Sequence, residues 1–285
     1  MAKFIVHSSI DERGKATGGV AGDQTRKEIC IREWYDKHWN MLLRIEDEEV
    51  RTNFANNMID LAKNDNVGYD QWQRNTLLKE AEKVGFDFTK ITTKCECDCS
   101  SAITICVLGA IYKVLGKVVY EKAKAILVID FNCATTSTLK ARMTNLKHLG
   151  IVVNVYTSKD YVHSTTKAVF GDIYNKSGSH VVCYINDGKK VVLKENVTNT
   201  DNNKVAYSKF KDESIAGTYI TTSDLYLRTS AGKKEDNDIV IMPKGTKVRN
   251  YGFYNMNNDI KWLLVTTTIK GVKYTGYCSS KYLTK

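Results

Sequence analysis

The chain has 285 residues, and its 42 Lys and Arg outnumber its 32 Asp and Glu to give a net charge of +10. A hydrophobic fraction of 42% and an aromatic fraction of 10% exclude a disordered or low-complexity chain. The length indicates about two domains. The positive charge favours an anionic partner, and nucleic acid, anionic lipid and a phosphate-bearing wall polymer all fit that description.

The N-terminal sequence MAKFIVHSSIDERGK has an apolar stretch far too short for the core of a signal peptide. No run approaches the roughly 18 apolar residues of a membrane helix. We therefore expect a protein that is made in the cytosol and does not insert into membranes. In that compartment its eight cysteines should be thiols, available for catalysis or metal binding.

Apolar residues recur every three or four positions in the first half of the chain, which predicts helices. A polar, Gly-rich segment, Ser8–Thr25, precedes them and reads as a loop. The predicted helices are Arg26–Leu43, Glu46–Lys63, Tyr69–Lys83, Ala102–Leu115 and Thr136–His148.

Short β-branched segments bounded by turn residues follow the helices and predict strands. Helices followed by an antiparallel sheet indicate an α+β domain, which we assign to residues 1–198. The predicted strands are Ile151–Tyr156, Val169–Tyr174, His180–Ile185 and Lys190–Glu195.

Residues 199–216 are polar, with little periodicity, and are predicted to be a linker. Residues 217–285 consist of short strand and turn patterns that predict a small all-β barrel. This segment has 11 Lys and Arg against 5 Asp and Glu. It is the more densely cationic domain, as a binding module would be.

Three cysteines, Cys95, Cys97 and Cys99, precede the apolar Ala102–Leu115 helix. Free backbone N–H groups and the dipole at a helix N-terminus favour a thiolate, so Cys99, nearest the predicted start, is the candidate nucleophile. A zinc site is the alternative, but the C-x-C-x-C spacing lacks the usual C-x-x-C pairs, and no metal or other cofactor is expected. A small core residue is the other alternative for Cys99.

His180 opens a predicted strand and is the candidate general base. The strand is followed by Asp187-Gly188, a strong hairpin signal. Counting outward from that turn places Glu195 opposite His180, where its carboxylate could orient the imidazole. A one-residue slip in register would present Lys194 or Asn196 instead, and Asn196 is also a sensible orienting group.

Three motifs in this order resemble the NlpC-type and CHAP-type cysteine peptidases. They are Asp98-Cys99-Ser100-Ser101, Gly171-Asp172-Ile173, and His180–Ile185 followed by Asp187-Gly188. The segment from Ala21 to Trp39 is similar to the opening of phage peptidoglycan amidohydrolases. The resemblance implies a papain-like fold with Cys99 as nucleophile and His180 as base. The Tyr-Val-Trp-Gly-Gly stretch of the NlpC type is missing, whereas Lys194-Glu195-Asn196 resembles the CHAP position for a third residue.

Residues 217–285 resemble a bacterial SH3 domain. The likeness lies in Asp224–Arg228, in the Lys244–Val248 turn, and in Gly276-Tyr277 followed by Tyr282-Leu283. It implies anchoring to a bacterial cell wall, with a structural barrel that binds nothing as the alternative.

Together these resemblances imply an endolysin that cleaves an amide bond of the peptidoglycan stem in a Gram-positive wall. It would be made in the host cytosol and act at the wall after release. The expected partners are peptidoglycan and anionic wall polymers, with no nucleic acid. An N-acetylmuramoyl-L-alanine amidase and an endopeptidase both fit the motifs. The alternative is a catalytically inactive wall-binding protein or another basic binding protein.

Overall fold

The computed structural model describes residues 2–25, 27–191, 197–198, 205–269 and 272–285. The chain divides into two compact units. The first unit comprises residues 1–146 and 152–191, and the second comprises residues 147–151 and 192–285. Within the described ranges, no helix has both the length and the apolar character needed to cross a membrane.

The first unit mixes helices and strands. Its helices are α1 (Glu48–Leu61), α2 (Thr76–Lys83), α3 (Cys99–Leu115), α4 (Lys117–Leu127), α5 (Leu139–Asn145) and α6 (Lys159–Val162). Its strands are β1 (Phe4–Ser8), β2 (Ile29–Glu33), β3 (Met41–Ile45), β4 (Val67–Tyr69), β5 (Cys95–Cys97), β6 (Val128–Ile129), β7 (Asn132–Cys133), β8 (Val153–Tyr156), β9 (Ile173–Lys176) and β10 (His180–Tyr184).

Six of these strands form an antiparallel sheet in the order β2-β1-β10-β9-β3-β8. Ile5 of β1 lies opposite Tyr184 of β10, and both side chains join a buried cluster with Trp39 and Tyr174. Residues that alternate with these, Val181 and Cys183, belong to the other face of the strand. The sheet core is therefore built from strands at both ends of this unit.

The helix α3 packs against α1, α4 and β10. Its sequence is apolar all round, and the segment from Cys99 to Ile111 is buried, as expected for a central helix. It ends at Leu115, because Gly116 takes a φ of +83°, a conformation that glycine adopts without a steric penalty. Burial on all sides fixes where the N-terminus of α3 lies.

Helices predicted over Glu46–Lys63, Ala102–Leu115 and Thr136–His148 are confirmed as α1, α3 and α5. The helix predicted over Arg26–Leu43 is wrong, since this segment supplies β2 and β3. Pairing with β1 and β9 outweighs its helix-like spacing of aromatic residues. Only the second part of the helix predicted over Tyr69–Lys83 forms, as α2, because Tyr69 belongs to β4, which pairs in parallel with β5.

The hairpin predicted after His180 is also wrong. Strand β10 pairs with β9 on one side and β1 on the other, so both of its edges are occupied. At the end of the described segment, Val191 exchanges two hydrogen bonds with the Asn56 side chain of α1. Glu195 and Asn196 lie outside the described residues. Strand β1, which lies near the start of the chain, pairs with β10 in place of the segment that follows Gly188.

The second unit is all-β apart from short 3₁₀ turns. Seven of its strands form a path in the order β15-β14-β18-β17-β16-β13-β19, with antiparallel neighbours in a curled half-barrel sheet. The strands are β11 (Val197–Thr198), β12 (Phe210–Lys211), β13 (Gly217–Thr221), β14 (Leu225–Arg228), β15 (Asp238–Met242), β16 (Lys247–Asn257), β17 (Ile260–Ile269), β18 (Val272–Ser279) and β19 (Leu283–Thr284).

The core of the second unit lies inside this curl, where Leu227, Val248, Leu263 and Cys278 are buried together. The predicted all-β character of the C-terminal region is thereby confirmed. Within the segment predicted as the linker, Phe210–Lys211 pairs with β16.

The motif residue Asp172 has a structural role. Its side chain is fully buried and accepts hydrogen bonds from Arg44 Nε at 2.8 Å, from Arg44 Nη2 at 2.7 Å and from the Val169 backbone amide at 2.8 Å. The bidentate ion pair therefore joins β3 to the turn that precedes β9.

We expect Asp172→Asn to lower the free energy of unfolding by about 3 kcal/mol, because it leaves the Arg44 guanidinium largely buried without a counter-charge. Urea denaturation measures this loss. The matched control is Asp160→Asn, which removes an exposed ion pair with Lys167 and should cost less than about 1 kcal/mol. Equal losses in the two variants would contradict the structural role of Asp172.

Candidate active site

Cys99 is the first residue of α3, directly after the N-cap residue Asp98. Asp98 Oδ1 accepts hydrogen bonds from the backbone amides of Ser100 at 3.0 Å and Ser101 at 2.7 Å. In return, Ser101 Oγ accepts a hydrogen bond from the Asp98 amide at 2.8 Å. This capping box follows from a short acid at the N-cap and a hydroxyl three residues later, and it fixes the start of the helix.

The Arg74 side chain holds the cap in place. Its Nε lies 2.6 Å from Asp98 Oδ2 and its Nη2 lies 3.1 Å from Asp98 Oδ1, a two-point ion pair. Arg74 Nη2 also donates to Ser100 Oγ at 2.9 Å and to the Ala134 carbonyl at 2.8 Å. Arg74 was not predicted from the sequence, because nothing in its local pattern shows which carboxylate it contacts.

His180 begins β10 and is buried. The indole of Trp39 stacks on its imidazole with ring centroids 6.1 Å apart and planes inclined by 27°. The His7 ring meets it edge-on at 5.9 Å. Neither neighbour was predicted, because His7 and Trp39 reach His180 only through the pairing of β1 with β10 and the packing of the β2–β3 connection.

The structure brings Cys99 and the start of β10 together. Helix α3 packs against β10, and the backbone amide of Val181, the residue after His180, lies close enough to the Cys99 thiol to favour its ionised form. Asp98 is close enough to both groups to raise the pKa of Cys99 and to oppose the lowering of the pKa of His180. The third predicted residue, Glu195, and its alternative, Asn196, lie outside the described residues.

The family model of the endolysin-like domain matches residues 5–191, which contain both Cys99 and His180. This chain belongs to the endolysin-like domain family. The family supports a role in cell-wall lysis, for which peptidoglycan is a fitting substrate. No curated protein and no solved structure shows a significant match to the chain.

In this endolysin-like domain the nucleophile candidate is a neutral thiol at rest. Burial raises the pKa of Cys99 to about 12, and the charge of Asp98 adds to the effect. The Val181 amide and Arg74 act in the opposite direction but do not prevail. The expectation that the helix terminus lowers this pKa is therefore wrong, because burial outweighs the stabilisation that the Ser100 amide gives to a thiolate.

The candidate base is neutral as well. The pKa of His180 is lowered to about 3, mainly by burial and to a smaller extent by the nearby His7 and Lys37. At neutral pH the site therefore holds a thiol and an uncharged imidazole. An uncharged imidazole is able to accept a proton, but pKa values of about 12 and about 3 oppose transfer from the resting thiol to the resting imidazole.

Cys95 and Cys97, which precede the candidate nucleophile Cys99, are buried thiols in β5. Cys97 is fully buried, with Ser8 Oγ at 3.9 Å from its Sγ, and Cys95 is its strand neighbour. Across the described ranges, Asp36, His38 and His163 are the group whose ligand atoms lie within 4.8 Å of one another. The C-x-C-x-C segment does not form such a group there.

Two buried glutamates connect the N-terminal loop to β4 and β5 just before Cys99. Glu28 accepts a hydrogen bond from the Tyr69 amide at 2.7 Å, and Glu96 accepts one from the Gly22 amide at 2.6 Å. Burial raises the pKa of Glu28 to about 7 and that of Glu96 to about 8, and the negative charge of Glu12 adds to both. Both carboxyl groups therefore keep protons at unusually high pH.

We expect the thermal stability of the native chain to fall from about pH 4.5 to about pH 8 and then to level off. The folded chain holds the protons of Glu28 and Glu96 up to about pH 7 and 8, whereas the unfolded chain releases them near pH 4.5. Raising the pH from about 4.5 to about 8 therefore removes stability that is fully present below pH 4.5. Scanning calorimetry of Glu28→Gln/Glu96→Gln should show a shallower decline in Tm.

The control for this measurement is Glu121→Gln, a change at an exposed residue of α4. Its decline in Tm should match that of the native chain. An equally steep decline in the double variant would show that these two glutamates do not govern the effect.

Proposed function

We propose that this chain is a cysteine peptidoglycan hydrolase that cleaves an amide bond of the stem peptide. The observation that supports this most is the packing of α3, which begins with Cys99, against the strand that begins with His180. Both residues lie inside the segment that matches the endolysin-like domain. A papain-like arrangement of helix and sheet is part of the proposal.

In the proposed reaction, Cys99 Sγ attacks the amide carbonyl while His180 accepts the thiol proton. The resulting imidazolium gives this proton to the leaving amine as the carbon–nitrogen bond breaks, which leaves a thioester on Cys99. Water then attacks the thioester while His180 accepts its proton, the carbon–sulfur bond breaks to release the carboxylic acid, and the imidazolium returns the proton to the Cys99 sulfur. Because thiol and imidazole are both neutral at rest, charge separation develops only as the attack begins.

The oxyanion of the tetrahedral intermediate needs backbone donors. The amides of Ser100 and Ser101 are occupied by Asp98 Oδ1. The Cys99 amide is therefore the donor of the first turn that we assign to the oxyanion.

The prediction that Glu195, or Asn196, orients the imidazole now rests on the resemblance to the CHAP position alone, because the hairpin that placed Glu195 opposite His180 does not form. The described surroundings of His180 support a supplementary role for Trp39, whose face covers the ring and limits its tilt. Trp39 is itself held by a hydrogen bond from its Nε1 to the Tyr35 carbonyl at 3.0 Å. It acts as a positioning residue.

We further propose that the second unit is an SH3-like module that binds the cell wall after the protein has been released to it. Its curled antiparallel sheet supports this, as does the excess of 11 Lys and Arg over 5 Asp and Glu in residues 217–285. Long-range attraction to anionic wall polymers follows from that charge and weakens with salt.

The Cys99→Ala chain tests both parts of this proposal. It should lose all clearing of Gram-positive walls, measured as turbidity, because no other group takes over covalent attack. It should still sediment with purified sacculi, because the anchor is untouched. Cys183→Ala, a change at another buried cysteine, serves as the control and should retain clearing if it folds by circular dichroism.

Full clearing by Cys99→Ala would refute the mechanism. A native chain that binds walls without clearing them would instead establish the inactive wall-binding protein. Mass spectrometry of the digested muropeptides identifies the bond through its new amino terminus, and so distinguishes the amidase from the endopeptidase.

A further inference from the structure

We propose that Asp36, His38 and His163 form a binding site for a transition-metal ion of the Zn²⁺ class, separate from the catalytic groups. The side chains offer one carboxylate oxygen and two imidazole nitrogens, all within 4.8 Å of one another. Two imidazoles and a carboxylate suit Zn²⁺ and its neighbours in the first transition row, whereas Ca²⁺ and Mg²⁺ prefer oxygen ligands.

The distances between these atoms are close to what a zinc ion requires. Bonds of about 2.0–2.1 Å in a tetrahedron place neighbouring ligand atoms roughly 3.3 Å apart. Asp36 Oδ2 lies 2.9 Å from His163 Nδ1 and 4.0 Å from His38 Nδ1, so the observed separations bracket that value. An ion would replace the hydrogen bond that now joins Asp36 Oδ2 and His163 Nδ1.

The backbone holds two of the ligands in position. Asp36 Oδ1 accepts a hydrogen bond from the His38 amide at 2.7 Å, which leaves Oδ2 directed to the histidines. His38 adopts a φ of +53°, an uncommon conformation for a residue with a side chain. His163 comes from the C-terminal end of α6, so an ion would join two separate segments of the chain.

The site leaves room for a further ligand. The exposed fractions of the Asp36, His163 and His38 side chains are 31%, 35% and 86%. Three protein ligands with solvent access are typical of a zinc site that keeps a fourth position for water or another small ligand. An exchangeable ion of moderate affinity is therefore expected, since the ligands are not enclosed.

The proposed site adjoins the candidate active site through the chain itself. Trp39 follows His38 and stacks on His180, while Tyr35 precedes Asp36 and packs on both His7 and Trp39. An ion at this point would restrain the segment that carries the aromatic cover of His180. The proposed metal site does not include Cys99, so metal binding is tested independently of the proposed hydrolase mechanism.

Metal binding is tested on the full-length chain after treatment with a chelator, by calorimetric titration with Zn²⁺ alone and by visible absorption with Co²⁺ alone. We expect one equivalent of Zn²⁺ to bind. His38→Ala and His163→Ala should each weaken that binding at least tenfold. His148→Ala, a change at an exposed histidine outside the group, should bind Zn²⁺ as the native chain does.

The eight thiols are the competing ligands, so the titration is repeated with Cys99→Ala, which should bind Zn²⁺ unchanged. Co²⁺ on nitrogen and oxygen ligands lacks the near-ultraviolet thiolate band that Co²⁺ on cysteine shows. The proposal is overturned if the native chain shows no saturable binding, or if His38→Ala and His163→Ala bind as well as the native chain. Loss of binding in Cys99→Ala would equally overturn it, by assigning the ion to the thiol.

Discussion

The Asp98 carboxylate makes the contacts on which the geometry of the candidate site depends. It caps α3 by accepting hydrogen bonds from the Ser100 and Ser101 amides, and it forms a two-point ion pair with Arg74. Because α3 is buried along its length, fixing its first turn also fixes Cys99 against β10. A single charged group thus links helix formation, packing of the sheet and the position of the nucleophile.

Burial also outweighs the helix dipole in setting the pKa of Cys99. A helix terminus stabilises an adjacent charge by about 0.3–1 kcal/mol, and rarely by more than about 2 kcal/mol. Raising the thiol pKa from 9.0 to about 12 corresponds to roughly 4 kcal/mol against the thiolate. In the proposed mechanism Cys99 is therefore a neutral thiol at rest, and His180 accepts its proton only during attack.

Local chemistry was enough to predict some of this architecture. The acid, the serine three residues later and the apolar run that follows specify the start of α3. Alternating β-branched residues specify the strand of His180 and most of the second unit. These features depend on neighbours within a few residues, which is what a sequence pattern records.

The rest depends on contacts between distant segments. Val6 of β1 pairs with Cys183 of β10, and this pairing displaces the hairpin that Asp187-Gly188 indicated. His7 reaches His180 through this pairing of β1 with β10, and Trp39 reaches it from the β2–β3 connection. Arg74, which lies between β4 and α2, reaches Asp98 at the start of α3. The motif residue Asp172 was informative about family, but its contacts show that its task is to hold β3 with Arg44.

In the proposed mechanism Cys99 forms a covalent bond with the substrate carbonyl. Rapid acid quenching during peptidoglycan digestion, followed by mass spectrometry of proteolytic peptides, measures this directly. We predict a thioester adduct on the peptide that contains Cys99, which accumulates within the first turnover and disappears on longer incubation. Steady cleavage of peptidoglycan with an adduct on a different residue would show that Cys99 is not the nucleophile.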